Sequence, residues 1–103
     1  MAKVIWTQRS LTDLKSIAEY ISLDSIKYAS LTIERLIDVT SYLETNPKIG
    51  RMVPEMRKQT KIREIIYGNY RIIYKISSTE TVHILTVHHS SKQLRQTTLR
   101  RLK

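Results

Sequence analysis

The spacing of apolar and polar positions changes twice along the chain. Residues 3–7 alternate, with Val4 and Trp6 on one side and Ile5 on the other, which predicts a short strand. From Ser10 the period lengthens. Leu11, Leu14, Ile17, Ala18 and Ile21 fall on one helical stripe, opened by a capping box of Ser10 and Asp13 in which Asp replaces the usual Glu or Gln. Residues 22–25 predict a tight turn, with Asp24 or Ser25 capping a second helix. There Ile26, Ala29, Ile33, Leu36, Ile37, Thr40 and Leu43 make another stripe. It stops before Asn46-Pro47, because the residue preceding proline is pushed away from helical dihedrals.

Beyond this point the period shortens. Residues 46–60, with Gly50, both prolines and four basic residues, predict a loop longer than a mere connection needs. Two runs of β-branched and aromatic residues then flank Gly68-Asn69. Glycine at the first central position suits a type II′ two-residue hairpin turn. The register that follows faces Tyr67 with Tyr70, Ile65 with Ile72 and Arg63 with Tyr74. The other surface carries Ile62, Glu64, Ile66, Arg71, Ile73 and Lys75. Residues 82–88 predict a third strand, whose alternation sets His83, Leu85, Val87 and His89 against Val82, Ile84, Thr86 and His88. The expected fold is α+β: an N-terminal strand, an antiparallel two-helix hairpin, then a three-stranded antiparallel meander. The helices cover one face of this small sheet, and the first strand pairs beside a later one. The opposite face is expected to be partly open and lined by basic groups.

Composition narrows the class. A chain of 103 residues, 41% apolar, suits a single domain with one core spanning residues 1–103. The absence of cysteine excludes disulfides, thiol catalysis and Cys-ligated metal. No apolar run approaches the roughly 20 residues needed to span a bilayer, and the first residues lack the apolar stretch of a signal peptide, so the cytoplasm is the expected compartment and no membrane partner is expected. The net charge of +9 is segregated. Residues 1–47 hold five basic against six acidic side chains, whereas 48–75 hold eight basic against Glu55 and Glu64, and 90–103 hold five basic and no acidic ones. Such a field attracts nucleic acid, an acidic protein segment or an anionic membrane surface.

The ordered set Trp6-Thr7, Asp13-Leu14, Ile17, Tyr20-Ile21, Asn46-Pro47, Gly50-Arg51, Arg63-Glu64-Ile65, 70–74 (YRIIY) and 84–89 (ILTVHH) resembles the RelE/ParE toxin superfamily across nearly the whole chain. The two long helices and the GR-x-x-P-E loop of residues 50–55 are closest to its ParE-like branch. The resemblance implies a toxin of a type II toxin–antitoxin module of the plasmid-stabilisation kind, neutralised by a cognate antitoxin. In the ParE-like branch such a toxin inhibits DNA gyrase by binding. In the RelE-like branch it is an endoribonuclease that cuts mRNA on the ribosome.

The residues can be weighed against each activity. Cleavage of RNA through its 2′-hydroxyl needs a base, an acid and positive charge at the phosphate. Arg71 is the candidate for the phosphate, with an ion pair to Glu64 as its alternative role. His88 and His89 are candidates for acid or base, but they lie on opposite faces, so at most one lines a given site. They are followed by Ser90-Ser91, without the tyrosine that resembling ribonucleases place here, so catalysis is an open expectation. Arg63 opposite Tyr74 suits a cation stacked on a ring. No metal-ligand spacing or phosphate loop is present, and no cofactor is expected. Inhibition by binding needs only a surface. Lys48, Arg51, Arg57, Lys58, Lys61 and Arg63, with Lys92, Arg95, Arg100 and Arg101 of the tail, are the candidates for contacting the target. A third option, a basic nucleic-acid-binding module, needs the same charges without toxicity.

Overall fold

A computed structural model describes residues 1–56 and 58–89. Arg57 and the basic tail residues Lys92, Arg95, Arg100 and Arg101 lie outside the described residues. The elements run β1 (Lys3–Trp6), α1 (Gln8–Ser22), α2 (Ile26–Ser41), a 3-10 turn (Tyr42–Glu44), β2 (Arg51–Met52), a second 3-10 turn (Pro54–Met56), β3 (Ile62–Tyr67), β4 (Tyr70–Ser78) and β5 (Thr81–His89). They form an α+β fold with one five-stranded sheet in the order β1-β5-β4-β3-β2. The sheet is mixed. β3, β4 and β5 form the expected antiparallel meander, while β1 runs parallel to β5 with Val4 beside Val82 and Trp6 beside Ile84.

The helix starts show which local signals prevail. Ser25 caps α2, its hydroxyl accepting from the Tyr28 amide at 3.0 Å. The cap of α1 is Thr7 rather than Ser10. The Thr7 hydroxyl accepts from the Ser10 amide at 3.2 Å and donates to the Ile84 carbonyl at 2.7 Å, so one side chain closes the helix end and ties it to β5. Ser10 is fully buried inside α1. Asp13, freed from capping, reaches β5, where one carboxylate oxygen accepts from the Thr86 hydroxyl and from the Val87 amide.

The helical stripes bury Leu14, Leu36 and Leu43 against Ile72, Tyr74, Val82 and Ile84. Truncating any one of these three leucines to alanine costs about 2–5 kcal/mol. Two members of the expected second stripe, Ile26 and Ile37, are exposed instead.

The central hairpin has the predicted register, with Tyr67 on Tyr70, Ile65 on Ile72 and Arg63 on Tyr74. Gly68 has φ of +56°, as a type II′ turn requires, and no other described residue has positive φ. The alternation in β5 does not continue through the strand. Ile73 pairs with Thr86 but Tyr74 with Ile84, leaving Leu85 as an extra residue in a bulge. Ile84 and Val87, rather than Ile84 and Thr86, therefore join the helix-side core, while Leu85 packs on the other side. The expected set of His83, Leu85, Val87 and His89 is broken at this point.

The largest departure concerns the face expected to be open. Residues 51–56 are not a free loop. β2 pairs with β3, and the chain then folds over the sheet as a strap, burying Val53 and Met56 against Ile62 and Ile73 in a second, smaller core. Glu64 and Arg71 on that face are 1% and 8% exposed.

Candidate functional site

Arg71 leaves the middle of the sheet on the strap side and meets two carboxylates. Its Nε donates to Glu64 Oε1 at 2.7 Å, and its two terminal nitrogens donate to the two oxygens of Glu55 at 2.8 Å each. The second oxygen of Glu64 accepts from Arg51 Nε at 2.7 Å. A planar guanidinium offers a fork to a carboxylate as it would to a phosphate, and Glu55 occupies that fork. The pairing raises the Arg71 pKa and holds the Glu55 carboxyl below the ordinary carboxylate range, the Arg71 hydrogen bonds being the main cause. Glu64 sits fully buried between two arginines, so a carboxylate is sustained inside the protein only because both its oxygens are paired.

Beside this network lies a clamp on the start of the strap. Tyr74 donates its hydroxyl to the Pro47 carbonyl at 2.7 Å and accepts from the Gly50 amide at 2.9 Å. Arg63 donates to the Gly50 carbonyl at 2.9 Å. Arg63 and Tyr74 are thus neighbours as expected, joined through the backbone of Gly50. Burial pushes the Tyr74 phenol pKa up, opposed by the Gly50 amide and the Arg63 charge.

The remaining candidates divide by face. His88 is the register partner of Arg71, whereas His89 pairs with Tyr70 and meets its ring edge-on at a centroid distance of 5.5 Å. Lys48, Lys58 and Lys61 are exposed. Arg51 keeps 60% of its side chain accessible despite its bond to Glu64. Ile49 and Met52 are exposed between these cations. The structure thus brings together Arg51, Glu64 and Arg71 and sets His88 beside Arg71 across the strands. Against the expectation that at most one histidine lines a given site, His88 and His89 both line one pocket at the strand ends. Glu55 was visible in the sequence only as part of the GR-x-x-P-E pattern. Its distance of 16 residues from Arg71 hid the pairing.

An α+β unit built of a helical hairpin on a strapped antiparallel meander, with a parallel first strand, is the fold of the RelE/ParE toxin superfamily. Within it, the family model of the ParE toxin of type II toxin-antitoxin systems, parDE, matches residues 4–94, and this chain belongs to that family. The chain is 29% identical over 92 residues to Toxin RelE2 of Caulobacter vibrioides, covering 89% of this chain and 99% of that protein. A solved structure described as the chromosomal ParDE TA system from P. aeruginosa has the same fold, with a TM-score of 0.68 at 19% identity over 86% of this chain and 96% of that one.

Proposed function

We propose that this ParE-family toxin acts in the cytoplasm by binding DNA gyrase, without cleaving nucleic acid, and that a cognate antitoxin neutralises it. The observation that carries this reading is the state of Arg71. Three of its donors are engaged by Glu64 and Glu55 under the strap, so the one cation placed for a scissile phosphate is committed to holding the fold. The contact surface in this reading is the exposed rim of Lys48, Arg51, Lys58 and Lys61, with Ile49 and Met52 as apolar anchors. Charges of this kind speed and orient association, and the apolar anchors supply affinity. The same rim suits the acidic portion of an antitoxin.

The test is an ATP-dependent supercoiling assay with the purified full chain. Inhibition near stoichiometric ratio, relieved by the antitoxin, is expected. Full supercoiling at several-fold molar excess of the toxin overturns the proposal.

A second reading is favoured by the cross-strand pairing of Arg71 with His88, which sets a cation beside an acid–base group. It makes the protein a ribosome-dependent mRNA endoribonuclease and predicts discrete cuts in translated messages. Intact transcripts during growth arrest refute it. A plain nucleic-acid-binding module would instead bind bare DNA or RNA with a steep loss on adding salt and would not arrest growth.

A further inference from the structure

A recess outside the Arg71 network lies on the helical side of the sheet, between α1 and the ends of β4 and β5. It is a pocket of about 470 Å³. Ile17 and Val87 form its apolar walls, and the rings of Tyr20 and Tyr70 stand at its sides. His88 and His89 close the strand end. Asp13 supplies the acidic group among these lining residues.

Asp13 is oriented before any ligand arrives. Its Oδ2 accepts from the buried Thr86 hydroxyl and from the Val87 amide, which fixes the carboxylate plane, while Oδ1 makes no hydrogen bond among the described residues. The aromatic side is also convergent. Tyr20 and Tyr70 both line the pocket, and the Tyr70 pKa is raised by burial and by the neighbouring phenols of Tyr28 and Tyr20. Tyr20 and Tyr28 are exposed.

We propose that this pocket receives the guanidinium of an arginine side chain presented by a protein partner. Three features select that chemistry. A carboxylate with one satisfied and one open oxygen calls for a cationic donor, and an anion such as phosphate is repelled. An apolar plug would strip water from Oδ1 without replacing its hydrogen bond, which is costly. A guanidinium also stacks on tyrosine faces, and its aliphatic stem lies against walls such as Ile17 and Val87. Four of the eight lining residues, Asp13, Ser16, Ile17 and Tyr20, come from residues 1–47, which carry no net positive charge, so the α1 wall does not repel a basic partner segment. The inference stands apart from the gyrase reading and does not depend on it.

The experiment is an amide chemical-shift titration of the full-length protein with N-acetyl-arginine amide, its neutral isostere N-acetyl-citrulline amide, and N-acetyl-tryptophan amide. Saturable shifts centred on Asp13, Tyr20, Tyr70 and Val87 are expected with the arginine compound. Citrulline should bind about tenfold more weakly, the difference between a charge-assisted and a neutral hydrogen bond. Tyr20→Ala, at a position 77% exposed and so harmless to the fold, should weaken arginine binding several-fold, and Asp13→Asn should weaken it at least as much. Equal affinity for citrulline, preference for tryptophan, unchanged binding in Tyr20→Ala, or no saturable shift at the pocket overturns the proposal.

Discussion

Arg71 and Glu64 face each other diagonally across the β3–β4 hairpin, a relation that follows from the Gly68-Asn69 turn alone. Their ion pair was therefore legible from the residues, because a two-residue turn fixes every pairing along both strands. Glu55 was not legible, since no local rule relates a residue in an irregular strap to one in the sheet. The network gives a direct expectation for stability. Arg71→Ala leaves Glu64 buried with one partner and Glu55 without its ion pair, and should cost about 3–5 kcal/mol in chemical denaturation. A loss of well under 1 kcal/mol would show that the pairing adds little. The acid limb follows from Glu55. Its folded pKa lies below the ordinary value of 4.5, so the stability it contributes is present above that value and is lost as pH falls through the lowered one. Denaturant midpoints followed from neutral pH to about pH 3 should therefore decline, and Glu55→Gln should flatten the decline.

At the scale of elements, the predicted strands and helices all formed, and the departures share a cause. Thr7 displaces Ser10 as the cap of α1 because its hydroxyl can also bond β5. The bulge at Leu85 arises where β5 must serve the helix-side core with Ile84 and Val87 and the strap-side core with Leu85. Both are tertiary requirements overriding a local pattern, and a single strand's alternation contains no record of either. The strap is the main such case. Its anchor is Gly50, where an added Cβ would lie 2.6 Å from both the Glu64 carbonyl oxygen and the Tyr74 hydroxyl. Gly50→Ala should therefore push the strap off the sheet, with a cost of about 1–3 kcal/mol from overpacking and the Tyr74 hydrogen bonds lost besides. Faster amide exchange confined to residues 47–56 would report it. An unchanged exchange pattern would show that the strap is held elsewhere.

Across the whole molecule, charge and packing divide the labour. The helical half is close to neutral and buries its leucines against the sheet, while the strap and hairpin carry the positive field. Some of that charge is internal to the fold. Arg71 is almost wholly enclosed and Arg63 is turned onto Gly50, so the outward field rests on Lys48, Arg51, Lys58, Lys61 and the half-buried Lys75 among the described residues of the strap and hairpin. A protein whose buried arginine is structural can lose that arginine without losing its action, provided the fold is kept. The measurement that separates the two accounts is gyrase supercoiling by a variant in which Arg71→Met, Glu64→Leu and Glu55→Gln are combined, so that no buried charge is stranded. With folding verified by its denaturation curve, this variant is predicted to inhibit gyrase as the parent does. Loss of inhibition in the folded variant, with the parent active, would contradict the structural role assigned to Arg71.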